Sequence, residues 1–166
     1  MTVRTRRRAM TRRLDGRILD LGGSEAHRSL WRDRDDVTVL DGVADPAFLS
    51  LVDRDERYDV IVSVFQLATV ADLAGTLSRV RRLLTVDGQF HFIEPARRTG
   101  MTGRAQRIAA PMVTLSTGIR LDRDIPAELR ANGLSVTSLE RHRTPSTQWW
   151  LSRLVEGVAH HSLLPH

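Results

Sequence analysis

A chain of 166 residues, 41% of them hydrophobic, is long enough for one buried core and too short for two ordinary domains. It contains no Cys, which excludes disulfides, thiolate metal sites and a cysteine nucleophile and makes the cytoplasm the default location. All 25 basic residues are Arg and the formal net charge is +5. Seven Arg and one Asp give residues 1–17 a charge of +6, so the rest is nearly neutral.

The N-terminal residues 1–16 combine many Arg with few apolar residues, which are Val3, Met10 and Leu14. Because these do not form an obvious helical stripe, we predict a disordered tail, either a solvated arm or a contact for an anionic surface. Nucleic acid could bind only through this tail. No apolar run reaches the roughly 18 to 20 residues of a membrane-spanning helix, and no signal peptide is recognisable. The Arg-rich, Lys-free composition suggests a bacterial source.

From Arg17 onward, short apolar runs alternate with longer amphipathic runs, which is typical of βαβ units around a parallel sheet. Residues 58–65 are nearly all apolar, as expected for a central strand covered on both faces. The last two strands have no helix between them and should pair antiparallel. The predicted strands are 17–21, 37–40, 58–65, 89–94, 134–139 and 151–159, and the predicted helices are 26–31, 46–52, 73–84, 104–115 and 122–132.

Several local signals accompany these elements. Asp45 and Pro46 predict a helix cap followed by Pro at the first helical position. Asp87 with Gly88 predicts a turn, and Gly133 a helix end. Trp149 and Trp150 should begin the final strand with one ring outside, and residues 161–166 form a frayed terminus.

The order of these motifs resembles the class I S-adenosylmethionine-dependent methyltransferases over about residues 16–160. The resemblance is carried by Ile18–Gly23 (ILDLGG), by Tyr58–Ser63 (YDVIVS) and by the segment from Leu73 to Glu94-Pro95. It implies a single domain over residues 17–160 with a Rossmann-like, mostly parallel α/β sheet, helices on both faces and a C-terminal antiparallel hairpin. It also implies S-adenosylmethionine as cofactor and a small molecule as methyl acceptor.

The glycine-containing turn after the first strand is implied to hold the methionine and ribose parts of the cofactor against bare backbone. The family has Gly at alternate positions, and this chain has Ser24 and Ala26 at two of them. The alternative is an ordinary tight turn between strand and helix. The resemblance assigns cofactor contacts here to Asp20, Leu21, Gly22, Gly23 and Ser24.

Asp41 ends the second predicted strand, 21 positions after Asp20, close to the spacing of an acidic residue that accepts hydrogen bonds from both ribose hydroxyls. The alternative is a solvated turn Asp beside Gly42. Ser63 in the central strand completes the predicted cofactor-binding set.

Only 16 residues separate Asp41 from Tyr58, which is too few for a helix, a third strand and its loop. One of the usual seven strands should therefore be missing at the sheet edge. Either the third strand is absent, or residues 37–40 are the third and the second is absent. The unpaired edge predicts a homodimer joined through it or a cover formed by residues 45–57.

Methyl transfer is a displacement at a sulfonium, for which an enzyme aligns the nucleophile, excludes water and supplies a base where needed. Candidates lie at the carboxyl ends of parallel strands. We predict His27, Gln66 and Glu94 as catalytic residues, with Phe65 beside them. His27 could instead lie on a helix surface, Glu94 could cap a strand end, and His91 is predicted to pack in the core. No metal-ligand pattern is present.

The alternative function is a methyltransferase-like domain that has lost its cofactor and serves as a binding or regulatory module. The altered glycine turn and the short span after Asp41 favour this alternative.

Overall fold

A computed structural model describes residues 3–22, 25–96, 119–120, 123–144 and 152–162. The described strands are β1 (Ile18–Asp20), β2 (Val37–Val39), β3 (Tyr58–Val64), β4 (Leu84–Pro95), β5 (Leu134–Arg143) and β6 (Arg153–His161). The described helices are α1 (Val3–Thr11), α2 (Glu25–Arg28), α3 (Pro46–Asp53), α4 (Leu73–Leu83) and α5 (Ile125–Ala131).

The strands form one sheet in the order β2-β1-β3-β4-β6-β5. The first four are parallel, whereas β6 is antiparallel to both β4 and β5. This confirms the predicted mostly parallel sheet with a C-terminal antiparallel hairpin. β2 pairs directly with β1 and is the edge among the described strands, so it holds the second position and the usual third strand is missing from the described residues.

Helices cover both faces of the sheet, as predicted. The face towards α3, α4 and α5 buries the larger core, in which Phe48, Leu77 and Leu129 pack against Ile61 and Phe90. On the opposite face a smaller core surrounds residues of α1, β1 and β3. The sheet is therefore buried on both sides, which explains why β3 is apolar at nearly every position.

The N-terminal segment is a helix, so the predicted disordered tail is wrong for the residues described. Met10 and Leu14 are 8% and 7% exposed and pack with Ile18 and Val62. Arg6 forms an ion pair with Glu156 of β6 at 3.4 Å. The sparse apolar residues suffice because an open sheet face supplies the surface that they bury, a partner that the local sequence does not contain.

Most predicted boundaries agree with the structure, with local differences. Asp45 accepts a hydrogen bond from the N–H of Ala47, confirming the predicted cap. The second helix is only Glu25–Arg28. Asp87 and Gly88 do not form the predicted turn between elements but lie within β4, where its register with β3 shifts. His161 ends β6 rather than beginning a frayed terminus.

The predicted helix at 104–115 and the Trp149-Trp150 pair lie outside the described residues. Among the described helices, none is long and apolar enough to span a membrane.

Candidate functional site

The carboxyl ends of β1, β2, β3 and β4 meet at one edge of the sheet. Asp20 of β1 lies in register with Val39 of β2 and Val62 of β3, and Ser63 of β3 pairs with Phe92 of β4. The predicted residues of these strands and of the turns after them therefore gather at this edge. Gly23, Ser24 and the side chain of His27 lie outside the description, although the backbone of His27 is in α2.

Asp20 is fully buried and its carboxylate bonds to the protein itself. Oδ1 accepts a hydrogen bond from the N–H of Gly22 at 2.8 Å, and Oδ2 accepts one from the indole N–H of Trp31 at 2.6 Å. Leu21, between Asp20 and Gly22 in sequence, is fully buried in the larger core. The carboxylate thus fixes the turn after β1 and ties it to the segment after α2.

Asp41 has the opposite environment, with 70% of its side chain exposed. Its carboxylate forms an ion pair with the guanidinium of Arg28 at the end of α2. Its backbone N–H donates to Oδ2 of Asp45 at 2.9 Å, which orients the turn into α3. Asp41 therefore presents a solvent-accessible acceptor beside the turn that Asp20 holds.

Glu94 is fully buried near the end of β4 and its carboxylate accepts three hydrogen bonds. Oε1 accepts from the hydroxyl of Ser63 and from the N–H of Leu67, both at 3.0 Å, and Oε2 accepts from the N–H of Ala68 at 3.1 Å. Burial raises the pKa of Glu94 to about 7, although these donors pull it downward. Through the N–H groups of Leu67 and Ala68, Glu94 holds the loop that follows β3.

This loop, residues 65–71, begins with an unusual backbone conformation. Phe65 has a φ of +60°, which is rare for a bulky side chain and costs of order 1 to 3 kcal/mol. Its N–H donates to the carbonyl of Ile93 at 2.9 Å, which holds the conformation in place. The strain lies directly at the carboxyl end of the central strand, where backbone outliers often accompany function.

Gln66 joins this loop to the turn after β2. Its Oε1 accepts a hydrogen bond from the N–H of Val43 at 3.4 Å. Gly42 has a φ of +103°, and a Cβ there would lie 3.0 Å from the same Oε1. Glycine is required by both the backbone angle and the close approach. The two turns therefore contact each other.

The same loop is also held from the side of α5. The guanidinium of Arg123 donates to the carbonyls of Leu67 and Ala71, and the N–H of Arg120 donates to the carbonyl of Ala68 at 2.7 Å. With Glu94 binding its N–H groups and Arg123 its carbonyls, the loop has partners for both kinds of backbone group.

His91 lies outside this edge, within β4. Its ring pairs with Oε1 of Gln89 at 2.9 Å and lines a small cavity with Met10 of α1. Burial, together with electrostatic repulsion between the two imidazole groups of His91 and His160, lowers the pKa of His91 to about 4. The ring is thus neutral at pH 7 and packs between sheet and helix. Among the described residues no group of acidic or His side chains is arranged to bind a metal.

Sequence reasoning missed the partners that define these environments. Trp31, Arg28 and the N–H groups of Leu67 and Ala68 carried no motif, because each becomes a partner only after distant segments pack together. The possible signal was composition alone: an indole N–H near a buried strand usually needs an acceptor.

Comparison with known proteins gives a clear result for structure and none for sequence. No protein-family model matches the chain, and no curated protein matches its sequence. The N-methyltransferase NodS from Bradyrhizobium japonicum superimposes with a TM-score of 0.62 at 13% identity, covering 96% of this chain and 94% of NodS. The chain has the class I S-adenosylmethionine-dependent methyltransferase fold.

Two further structures of similar fold belong to proteins with different reactions. The 1,6-didemethyltoxoflavin-N1-methyltransferase from Burkholderia thailandensis, solved with S-adenosylhomocysteine, has a TM-score of 0.58 at 14% identity and covers 96% of this chain and 76% of its own. The [4+2]-cyclase SpnF has a TM-score of 0.63 at 16% identity, with coverage of 96% and 81%. The methyltransferase fold therefore hosts more than one reaction, and function must be argued from the site.

Proposed function

We propose that this chain binds S-adenosylmethionine and transfers its methyl group to a small-molecule acceptor. The observation that carries the proposal is the exposed carboxylate of Asp41 at the end of β2, next to the Gly22 turn. A carboxylate at this position can accept hydrogen bonds from two vicinal hydroxyls in a charge-assisted pair. The acidic groups of Asp20 and Glu94 at the neighbouring strand ends are already bonded to the protein.

The residues at the edge fit such a cofactor in their chemistry. Asp41 would accept from the ribose hydroxyls, and the turn from Asp20 through Gly22, continued by Gly23 and Ser24, would receive the methionine part. Gly22 has no side chain that would block the close approach of a ligand to the backbone of this turn. When bound, the cofactor supplies an activated methyl group on a sulfonium.

The chain's own residues divide into those that hold the site and those that face a ligand. Asp20 with Trp31 and Glu94 with Ser63 are positioning residues in this proposal, because their polar atoms bond to other parts of the chain. Glu94 was predicted as a catalytic residue, and its full burial favours the positioning role. Gln66 and His27 remain the proposed contacts for the acceptor, with His27 as the proposed base.

A calorimetric titration of the intact chain with S-adenosylmethionine, repeated with S-adenosylhomocysteine, tests the proposal. We expect saturable binding of both, because they share the ribose and the methionine-derived part that Asp41 and the Gly22 turn would contact. Absence of heat for both ligands, with the chain shown to be folded by circular dichroism, contradicts it.

A second candidate function is a binding module without methyl transfer, and one observation favours it. Arg28 already pairs with Asp41, so the chain itself occupies the acceptor that the ribose would need. Arg28→Ala separates the candidates. If the pair merely competes with the cofactor, the variant binds S-adenosylmethionine more tightly than the unmodified chain. If neither the variant nor the unmodified chain binds S-adenosylmethionine, the binding module is the better description.

The remaining expectations stay proposals. They are a cytoplasmic bacterial protein that acts on a small molecule, and either a homodimer through the β2 edge or a cover of that edge by residues 45–57.

A further inference from the structure

Three arginines share one face at the end of the C-terminal hairpin. Arg143 of β5 lies directly opposite Arg153 of β6, and Arg141 lies opposite Val155. Since side chains alternate along a strand, Arg141, Arg143 and Arg153 project from the same side of the sheet. The face is the one on which α5 packs, because Val155 belongs to the same core as Ile125 and Leu129.

This arrangement is electrostatically unfavourable by itself. Like charges directly opposite on paired strands repel each other. The acidic residues of the same hairpin, Glu140 and Glu156, pair with His142 and, for Glu156, with Arg6. Within the described ranges, no ion pair joins a carboxylate to any of the three arginines.

The sequence of the flanking segments does not offer the missing negative charge. Residues 97–118 contain four Arg and no Asp or Glu, and residues 145–151 contain no acidic residue. Arg thus outnumbers Asp and Glu in residues 97–153, although Asp122, Asp124, Glu128 and Glu140 are also present there. An anion from outside would relieve the repulsion between Arg143 and Arg153.

Two of these arginines, Arg141 and Arg153, line a cavity. Its volume is about 450 Å³, within the range of small-molecule sites. Its polar lining includes Arg123, whose guanidinium holds the loop after β3, and Asp124, whose carboxylate caps α5 at the N–H of Ala127. The described residues of the lining are Pro95, Ala96, Ile125, Pro126 and Val155 on the apolar side and Arg123, Asp124, Arg141 and Arg153 on the polar side.

The cavity lies beyond the carboxyl end of β4, at the same sheet edge as the candidate cofactor site. Pro95, which lines it, directly follows Glu94, whose carboxylate holds the loop after β3. Arg123, which also lines it, binds that loop from the other side. An occupant of the cavity would therefore contact the elements that position the proposed site.

We propose that Arg141 and Arg153 bind the anionic group, a carboxylate or a phosphate, of a small molecule whose apolar part packs against Ile125, Pro126 and Val155. Guanidinium groups suit both anions because they donate in a planar fork. As the inference rests on the proposed function, this molecule is the methyl acceptor, and the substrate class is an anionic compound with an apolar body.

The test is calorimetric titration of the intact chain, without S-adenosylmethionine and in a buffer free of competing anions. The probes are phenyl phosphate, benzoate and the neutral benzamide. We expect the two anions to bind and benzamide to bind at least about tenfold more weakly. Arg141→Gln and Arg153→Gln should each weaken the anions about tenfold, since each removes a charged donor. Arg82→Gln, at an exposed Arg of α4, is the matched control and should leave affinity unchanged.

The proposal is overturned if neither anion binds, if benzamide binds as well as benzoate, or if both Gln variants bind like the unmodified chain. A short single-stranded oligonucleotide is the last probe. If it displaces phenyl phosphate and depends on the same arginines, the surface binds nucleic acid and the small-molecule assignment is wrong. Because the anions are titrated without the cofactor, the two proposals fail separately. Binding of the anions but not of S-adenosylmethionine contradicts the proposed function, and with it the role of the anion as methyl acceptor, while the anion site stands. The reverse result contradicts only this inference.

Discussion

Glu94 and Asp41 are acidic residues at the same edge of one sheet, and their surroundings are opposite. Glu94 is fully buried with three donors from the chain around its carboxylate. Asp41 is 70% exposed with one arginine beside it. Both were predicted as site residues at strand ends, Asp41 as a cofactor contact because of its spacing from Asp20 and Glu94 as a catalytic residue. The difference teaches that a carboxylate at a strand end stays accessible to solvent only where no loop of the chain folds over it.

The two regions also differ in how their strands are supported. β3 and β4 are long and covered on both faces, whereas β2 has three residues, each half-buried. The β3–β4 side can therefore hold a buried carboxylate, and the β2 side leaves its carboxylate in water.

The largest effect is expected at the buried carboxylate. Glu94→Ala leaves the N–H groups of Leu67 and Ala68 and the hydroxyl of Ser63 without their acceptor, which should lower the free energy of unfolding by about 4 kcal/mol, since each buried unpaired group costs about 1 to 3 kcal/mol. Urea unfolding monitored by circular dichroism measures it. Asp41→Ala is the control and should change stability by less than about 0.5 kcal/mol. Equal losses in both variants would erase the contrast between the two regions.

The ionisation of Glu94 and that of His91 should change the free energy of unfolding with pH in opposite directions. Burial raises the pKa of Glu94 from 4.5 to about 7. The native state then holds a proton that the unfolded chain releases, and stability falls as the pH rises from 4.5 to 7. Burial, together with electrostatic repulsion from His160, lowers the pKa of His91 from 6.5 to about 4. The unfolded state then binds the extra proton, and stability rises from pH 4 to 6.5.

In the unmodified chain these two slopes nearly cancel, so removing either group should reveal the other. His91→Gln should lose about 3 kcal/mol of stability between pH 4.5 and 7, at about 1.4 kcal/mol for each unit of the Glu94 shift. Glu94→Gln should instead gain stability from pH 4 to 6.5. Urea unfolding at steps of pH gives both curves. If the stability of His91→Gln does not change with pH, the pKa of Glu94 is not raised.

The third prediction concerns Asp20, the other buried acid of this edge. Trp31→Phe removes the indole donor from its Oδ2 while preserving most of the ring. We expect a loss of about 2 kcal/mol, typical of a hydrogen bond to a charged group. The melting temperature measures it, and Arg32→Ala, at the exposed neighbour, should leave it unchanged. No loss in Trp31→Phe would show that the other donors to Asp20, among them the N–H of Gly22, hold the carboxylate without the indole.

At the exposed carboxylate, the effect should appear in ligand binding and not in folding. Asp41→Ala should weaken S-adenosylmethionine at least about tenfold, because a charged hydrogen bond contributes about 1.5 to 3 kcal/mol. Calorimetric titration measures the affinity. Asp53→Ala, at an exposed Asp of α3, is the matched control. If both variants bind like the unmodified chain, the ribose lies elsewhere.

The smallest effect is expected at the outer edge of β2. The backbone N–H of Leu40 faces β1, where it donates to the carbonyl of Asp20. Since backbone N–H groups alternate along a strand, the N–H of Thr38 also faces β1 and the N–H of Val37 faces away from it. Val37→Pro should therefore cost less than about 1 kcal/mol, and Thr38→Pro considerably more. Light scattering on the same samples measures the oligomeric state and so tests whether two copies pair through the β2 edge. A dimer that becomes a monomer in Val37→Pro confirms edge pairing, and a monomer throughout favours the covering segment.

The local pattern was enough to predict most of the architecture. The apolar run of β3, the cap at Asp45, the end of α5 at Gly133 and the antiparallel hairpin all follow from neighbours within a few residues or from the absence of a helix between two strands. Periodicity, turn chemistry and chain connectivity are local properties, so the sequence determines them directly.

The environments of the candidate site were decided by tertiary structure. Whether Glu94 is buried and Asp41 exposed depends on which loop folds over which strand end. In the same way α1 packs because a distant sheet face is open to Met10. The facing pair of Arg143 and Arg153 arises only from the register of two strands. Burial, register and hydrogen-bond partners are set by residues far apart in sequence, and these contacts exist only once the chain has folded.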